Sequence, residues 1–163
     1  MAQQSHVVAF YNVENLFDTI NSPTTADEDM LPLADRQWTT ERYKAKLKNI
    51  SNAIAGIATQ HDYPTLMALA EVENRTVLED LVAEPALVPA TYAICHYDSP
   101  DERGIDVALL YRPDTFPLQG SKAIPANTGN PTRDILTVWG TLDNEPIFTA
   151  IVHWPSRIGG VKF

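Results

Sequence analysis

The 163 residues carry 12 Lys+Arg against 21 Asp+Glu, a formal charge of −9. That length allows one domain, 1–163, or a portion of one, and an apolar content of 44% excludes a disordered acidic tail. No apolar run approaches the roughly 20 residues that span a bilayer. The single cysteine, Cys95, excludes an internal disulfide framework and a cysteine-based zinc cluster.

The opening Met1-Ala2-Gln3-Gln4-Ser5 has neither a charged n-region nor an apolar h-region, so no signal peptide is legible. An Ala-Gln-Gln start after an added Met is also how a mature secreted chain looks once its leader is removed. Localisation stays open between a secreted or periplasmic protein and a cytoplasmic one. The one basic cluster, Arg36, Arg42, Lys44, Lys46 and Lys48, reads as the solvated face of a helix. With so little positive charge elsewhere, tight sequence-independent DNA binding is mildly disfavoured. Acidic groups can instead collect hard cations, through which an acidic protein binds phosphate.

Residues 7–13 form a run of strand formers with apolar side chains on both faces, the pattern of a strand buried within a layered sheet. Residues 18–38 are polar, hold Asp27-Glu28-Asp29, and read as a long loop of the kind that borders a site. Tyr43, Leu47, Ile50, Ile54 and Ile57 then make one apolar stripe, predicting a helix over 40–59 capped by Thr39 or Thr40. A second apolar run, 64–70, ends at Glu71, and a short helix is expected at 74–83. Strands follow at 91–97, 105–111, 117–124, 134–140 and 146–152, with Asp143-Asn144 as a tight turn. This order predicts an α/β (α+β) layered domain with helices outside a mixed sheet.

There is no phosphate-binding loop, no His-Glu-x-x-His zinc helix and no Gly-x-Ser-x-Gly elbow. Cys95 reads as a buried structural thiol. What remains is a set of polar residues closing apolar strands: Asn12 and Glu14, then Glu71, then His153. Strand ends converge on one rim, where ligands sit in layered α/β folds. A carboxylate and an amide oxygen suit Mg²⁺ or Mn²⁺, and a neighbouring His and Arg suit a phosphoryl oxygen gaining charge. Singly, each is commonly a turn former or a surface charge; the joint pattern carries the reading.

Four segments, Tyr11-Asn-Val-Glu-Asn-Leu-Phe-Asp18, Leu69-Ala-Glu-Val-Glu-Asn74, Ser99 to Tyr111 and His153-Trp-Pro-Ser-Arg157, occur in one order. Together they resemble the endonuclease/exonuclease/phosphatase superfamily of divalent-metal phosphoesterases, the DNase I-like enzymes. Their wording is closest to bacterial members. The resemblance implies a four-layer α/β/β/α sandwich and in-line attack of water on a phosphodiester or phosphomonoester. It implies Glu71 as the main ligand of Mg²⁺ or Mn²⁺, with Asn12 beside it orienting the metal or the water. His153 would contact the phosphate, and Arg157, Arg103 and Asp106 would line the substrate rim. Glu14 and Asp134 would support these groups from behind, Arg133-Asp134 being expected as a structural pair near the cleft.

Two departures stand out. Residue 152 is Val where the family often has Asn, which removes a side-chain hydrogen bond beside the histidine. The family's later Asp-x-Asn and Asp-His pairs do not follow the first histidine loop. The expectation is therefore the N-terminal portion of a catalytic domain, inactive alone, with an exposed sheet that takes its missing half or a second copy. The substrate class stays open among nucleic acid, nucleotide, sugar phosphate and lipid headgroup. The alternative is a non-catalytic binding or self-associating half-domain.

Overall fold

The computed structural model describes residues 5–58, 62–127 and 131–154. Its elements follow the expected order: β1 (Val8–Leu16), α1 (Thr40–Ile57), β2 (Leu66–Val72), α2 (Arg75–Val82), β3 (Ala93–His96), β4 (Asp106–Tyr111), β5 (Leu118–Ile124), β6 (Ile135–Leu142) and β7 (Glu145–Ile151). Thr39 caps α1 by accepting from Arg42 N–H, and Asn74 caps α2 by accepting from Val77 N–H. Asp143 and Asn144 both take positive φ, the conformation that a two-residue turn matching strand twist demands.

Two sheets form. The first has the order β1-β2-β4-β3, with β1 and β2 parallel and the other pairs antiparallel; the second is the antiparallel meander β5-β6-β7. Strand alternation divides the core between two faces. Leu66, Ala68 and Ala70 of β2 join Val107 and Leu109 of β4 against Leu136, Val138 and Ile151 of the second sheet and Phe116 just before it. Met67 and Leu69, with Ala108 and Leu110, pack instead against Leu47, Ile50 and Ile54 of α1 and Val77, Leu78 and Leu81 of α2. The described residues thus supply three layers: helices, first sheet, second sheet. The expected fourth, helices on the far side of the second sheet, is not among them.

The alternation slips once in β2. Ala70 faces the second sheet, yet Val72 lies with Met67 and Leu69 on the helix side. The extra residue is Glu71, where the pairing with both β1 and β4 shifts register. A one-residue bulge of this kind re-aims a side chain at a strand end.

One expectation is corrected. β1 is not buried on both faces: Val8 is 64% and Phe10 55% exposed. Both face the second-sheet side, as their partners Leu66 and Ala68 do. However, β1 is an edge strand, and β6 and β7 pack over β4 instead. The segment 18–38 is a loop, as expected, with one turn of 3-10 helix at Glu28–Met30. It is tied down at both ends. Ala26 N–H donates to Glu102 O at 2.8 Å, and the Trp38 indole N–H donates to Phe17 O at 2.9 Å. Cys95 is buried in β3, and burial pushes its thiol pKa up, consistent with an inert structural role.

Candidate active site

The rim begins where β1 and β2 end. Asn12 Nδ2 donates to Glu71 Oε1 at 2.9 Å, and Asn12 Oδ1 accepts from Glu14 N–H at 2.8 Å. Glu71 takes φ 65, and Glu14 and Asn15 take φ 56 and 63. Three non-glycine residues in the left-handed region at one strand rim mark stored strain of the kind found at functional sites.

His153, just past β7, reaches the same carboxylate: its Nε2 lies 3.4 Å from Glu71 Oε1. Arg133 Nε donates to His153 Nδ1 at 3.2 Å, and Arg133 Nη1 donates to Asp101 Oδ2 at 2.6 Å. An accepting Nδ1 places the remaining imidazole proton on Nε2, the nitrogen aimed at Glu71; this tautomer follows from the hydrogen-bond pattern. Burial first, and then the Arg133 guanidinium, hold the His153 pKa below the ordinary imidazole value, with Glu71 pulling the other way. These contacts favour the neutral ring.

The other expected residues separate. Arg103 sits at the rim, with Nε 3.7 Å from Asp101 Oδ1 and its guanidinium half exposed. Asp106 is turned inward: it is 3% exposed, accepts from Ser99 N–H at 3.1 Å and from Ser99 Oγ, and holds His96 Nε2 at 3.1 Å. Its carboxylate is committed to shaping the 99–105 loop. Asp134 lies close enough to Asp106 that its pKa is raised, by burial first and then by that charge. Arg133 does not pair with Asp134 as the sequence suggested; Asp101, 32 residues away, takes it. Arg157 lies outside the described residues.

Several contacts around the rim carried no signal in the sequence, although Arg133 and Lys46 themselves are singled out there. Arg133 and Asp101, 6% exposed each, form the buried pair that orients His153. Lys46, on α1, donates to Glu14 O at 2.6 Å. Glu73 is buried behind Glu71 and accepts from Asp18 N–H at 2.7 Å. Burial, with Asp18 and Asp27 nearby, pushes its carboxyl up to about 7. Only the run Ala70-Glu-Val-Glu-Asn74, with acids on either side of a bulge, hinted at it.

Among the described residues, both side-chain contacts of Glu71 fall on Oε1, which leaves Oε2 to a cation. A carboxylate oxygen is a donor suited to a hard divalent cation. Asn12, whose oxygen holds Glu14 N–H, serves here to orient Glu71. A second group, His96, Asp98 and Asp106, brings its potential ligand atoms within 4.8 Å of one another. It is a weaker metal site, because Asp98 and Asp106 approach opposite nitrogens of one ring and Asp106 is already saturated by Ser99.

No curated protein matches the chain. Among solved structures it is similar to a humanized D. rerio TDP2 with 14 mutations, at 13% identity and TM-score 0.56, covering 88% of this chain and 45% of that one. It is similar to Caenorhabditis elegans TDP2 at 18% identity and TM-score 0.52, covering 72% and 32%. A third match is D. rerio TDP2 complexed with single strand DNA product, at 15% identity and TM-score 0.50, covering 88% and 43%. These likenesses show the fold, part of a DNase I-like sandwich, and the chain spans less than half the length of each. The model of the endonuclease/exonuclease/phosphatase family matches residues 7–163, and the chain belongs to that family.

Proposed function

We propose that this chain supplies the Asn12–Glu71–His153 part of the catalytic centre of a divalent-metal-dependent phosphoesterase. The reaction is hydrolysis of a phosphodiester or phosphomonoester by in-line attack of water. One observation carries the reading: residues from the middle of β1, the end of β2 and just past β7, far apart in sequence, meet at a single carboxylate oxygen, Glu71 Oε1.

Glu71 offers its second oxygen to Mg²⁺ or Mn²⁺, held in place by the Asn12 amide. A bound cation supplies Lewis acidity toward a phosphoryl oxygen and the leaving oxygen. Neutral His153 donates from Nε2 to a non-bridging oxygen as negative charge builds there. Arg133 keeps that nitrogen protonated and aimed, and Arg103 contributes charge at the edge; Arg157 is carried as a substrate contact from the family resemblance. Asp106, with Asp134 beside it, fixes the loop that carries Arg103. The water-activating base is assigned to none of the described residues. One structural relative was solved with a single strand DNA product, which keeps nucleic acid among the candidate substrates.

The test is hydrolysis of bis(p-nitrophenyl) phosphate with Mg²⁺ and with EDTA, by this chain and by the longest natural polypeptide containing it. Mg²⁺-dependent turnover is expected of the longer polypeptide, with little or none from this chain alone; it should be lost with chelation and lowered about 100-fold or more by Glu71→Ala and by His153→Ala. Turnover indifferent to EDTA, or to both substitutions, overturns the reading. A second reading, a self-associating half-domain, is favoured by the exposed Val8, Phe10 and Phe148 on the edge strands β1 and β7. It predicts a dimer by light scattering that Phe10→Lys dissociates, with no hydrolysis in any arm.

A further inference from the structure

A groove of about 270 Å³ opens beside the rim, lined by Glu14, Met30, Arg36, Trp38, Arg42 and Lys46. Three of the five basic residues that read in the sequence as a solvated helix face, Arg36, Arg42 and Lys46, are gathered here by the loop folding back over α1. Lys46 Nζ bonds Glu14 O, Glu14 N–H bonds Asn12 Oδ1, and Asn12 bonds Glu71. Three hydrogen bonds therefore link the groove to the reacting carboxylate.

The cations are organised. Trp38 is buried, its indole N–H fixed to Phe17 O. Its ring carries the Arg42 guanidinium at 5.3 Å and Lys46 Nζ at 5.6 Å. Arg42 also donates to Arg36 O and Gln37 O, holding the turn that presents Arg36. Like charges at i,i+4 repel on a helix; here the indole face holds Arg42 and Lys46 together.

They are also unneutralised. Arg75, Arg103, Arg112 and Arg133 each pair with a carboxylate, whereas among the described residues Arg36, Arg42 and Lys46 pair with none. The Glu14 side chain is the one acid lining the groove. In a chain of net charge −9, three converging cations beside the reacting site form an isolated positive spot. Lys46 is also partly desolvated, which lowers its pKa despite Glu14 and Glu71 nearby. An ammonium in that position gains most from an anion.

We propose that the Arg36–Trp38–Arg42–Lys46 groove binds a second phosphate of the substrate, adjoining the phosphorus that reacts at Glu71. The inference rests on the hydrolytic reading and narrows it to substrates carrying at least two phosphates. A nucleic-acid strand and a small bisphosphate share that chemistry.

The experiment uses the full chain and three probes: thymidine 5′-monophosphate, thymidine 3′,5′-bisphosphate and a fluorescein-labelled eight-residue oligothymidylate. Binding is measured by calorimetry or anisotropy in Mg²⁺. The variant is Arg36→Gln with Lys46→Gln, checked by thermal melting; Lys46→Arg is the charge-conserving control. Bisphosphate or oligonucleotide affinity should fall about tenfold or more, with monophosphate affinity unchanged and Lys46→Arg close to the parent. For the oligonucleotide, the slope of log affinity against log salt should become shallower by ~0.7, as one phosphate contact is lost. Loss with both multiphosphate probes supports any closely spaced pair of phosphates; loss with the oligonucleotide alone supports a strand. Unchanged affinity for both, or an equal fall for the monophosphate, overturns the groove as a separate phosphate site. Failure of the hydrolytic reading shows separately, as absent Mg²⁺-dependent turnover of bis(p-nitrophenyl) phosphate by the longest natural polypeptide that contains this chain.

Discussion

Asn12 bonds Glu71 although the strand register places Asn12 opposite Ala70. Regular pleating would send Glu71 toward the helices, with Leu69. The bulge and a φ of 65 turn it back onto the rim, where the amide and His153 meet it. A left-handed conformation costs a non-glycine residue about 1–2 kcal/mol, so the site is built at the expense of stability. Glu71→Ala and Glu71→Gly remove the same carboxylate, but only alanine keeps the strain. The glycine variant should melt about 2–4 °C above the alanine variant, equivalent to ~1 kcal/mol at this size. Equal melting temperatures would show that no strain resides there. Both variants should also lose any Mg²⁺-dependent rise in melting temperature that the parent displays.

His153 gives a second prediction. Its pKa is lowered chiefly by burial and then by Arg133, while Glu71 opposes both. Below the ordinary imidazole value of about 6.5, the unfolded chain takes up a proton more readily than the folded one. The stabilising contribution is therefore complete above about pH 6.5 and declines as pH falls through the lowered value. NMR titration of the ring should show a midpoint below that of a free imidazole. Glu71→Gln should move it further down, and a move upward would contradict the assignment of Glu71 as its facing carboxylate.

Arg133 joins two buried groups and should be hard to replace. Arg133→Ala leaves buried Asp101 with only the half-exposed Arg103, 3.7 Å from its other oxygen, and breaking a buried pair costs up to about 3–5 kcal/mol. Arg133→Ala with Asp101→Asn removes the stranded charge and should recover a substantial part of that loss in a denaturant titration. Additive losses in the double variant would mean that the two residues do not act as a pair.

Much of this arrangement was legible in the sequence, for identifiable reasons. The stripe Tyr43, Leu47, Ile50, Ile54 is buried as its spacing requires, while Ile57, at the helix end, is exposed. Asn12, Glu71 and His153 were visible because each closes an apolar run, and runs mark strand ends. Arg133, Asp101 and Glu73 were not, since their partners lie 20 to 55 residues away and no periodicity reports such contacts. The basic cluster is exposed at Arg36, Arg42, Lys44 and Lys48, as a solvated face requires, but the groove lay beyond the sequence for a related reason. Helical spacing locates Arg42 and Lys46 on one face, but says nothing about the loop that brings Trp38 and Arg36 over it. β1 was misread because an apolar pattern gives no strand order, and an edge strand can present the same residues as a central one.

Glu73 yields a prediction of opposite sign to His153. Its carboxyl is pushed up to about 7 by burial and by Asp18 and Asp27. Between about pH 4.5 and 7 the folded chain holds this proton more tightly than the unfolded one. Raising the pH through that window therefore removes stability, up to about 3 kcal/mol at ~1.4 kcal/mol per unit. Glu73→Gln keeps an oxygen for Asp18 N–H and never ionises. It should match or exceed the parent at pH 8, where the parent's carboxylate is charged and buried, and lose that advantage near pH 5. Melting curves at the two pH values decide the matter, and a variant that gains nothing at pH 8 would mean Glu73 is not buried as a charge.

Gly120 and Trp139 supply a test of the second sheet that is independent of the rim. They are register partners on β5 and β6, and a Cβ built on Gly120 would lie 2.2 Å from Trp139 Cζ2. The indole lies across the bare glycine, so the position excludes any side chain while the ring stays. Gly120→Ala must push the ring aside, and overpacking of this kind costs about 1–3 kcal/mol. Trp139→Ala loses the ring contact but leaves room for a methyl group. Placing alanine at 120 in that background should then cost little, because the clash has gone and alanine is no worse than glycine in a strand interior. The double-mutant cycle should therefore show a coupling of about 1 kcal/mol or more between the two positions. A coupling near zero would mean that the ring does not cover the glycine, and with it the pairing of β5 to β6 at this point would fail.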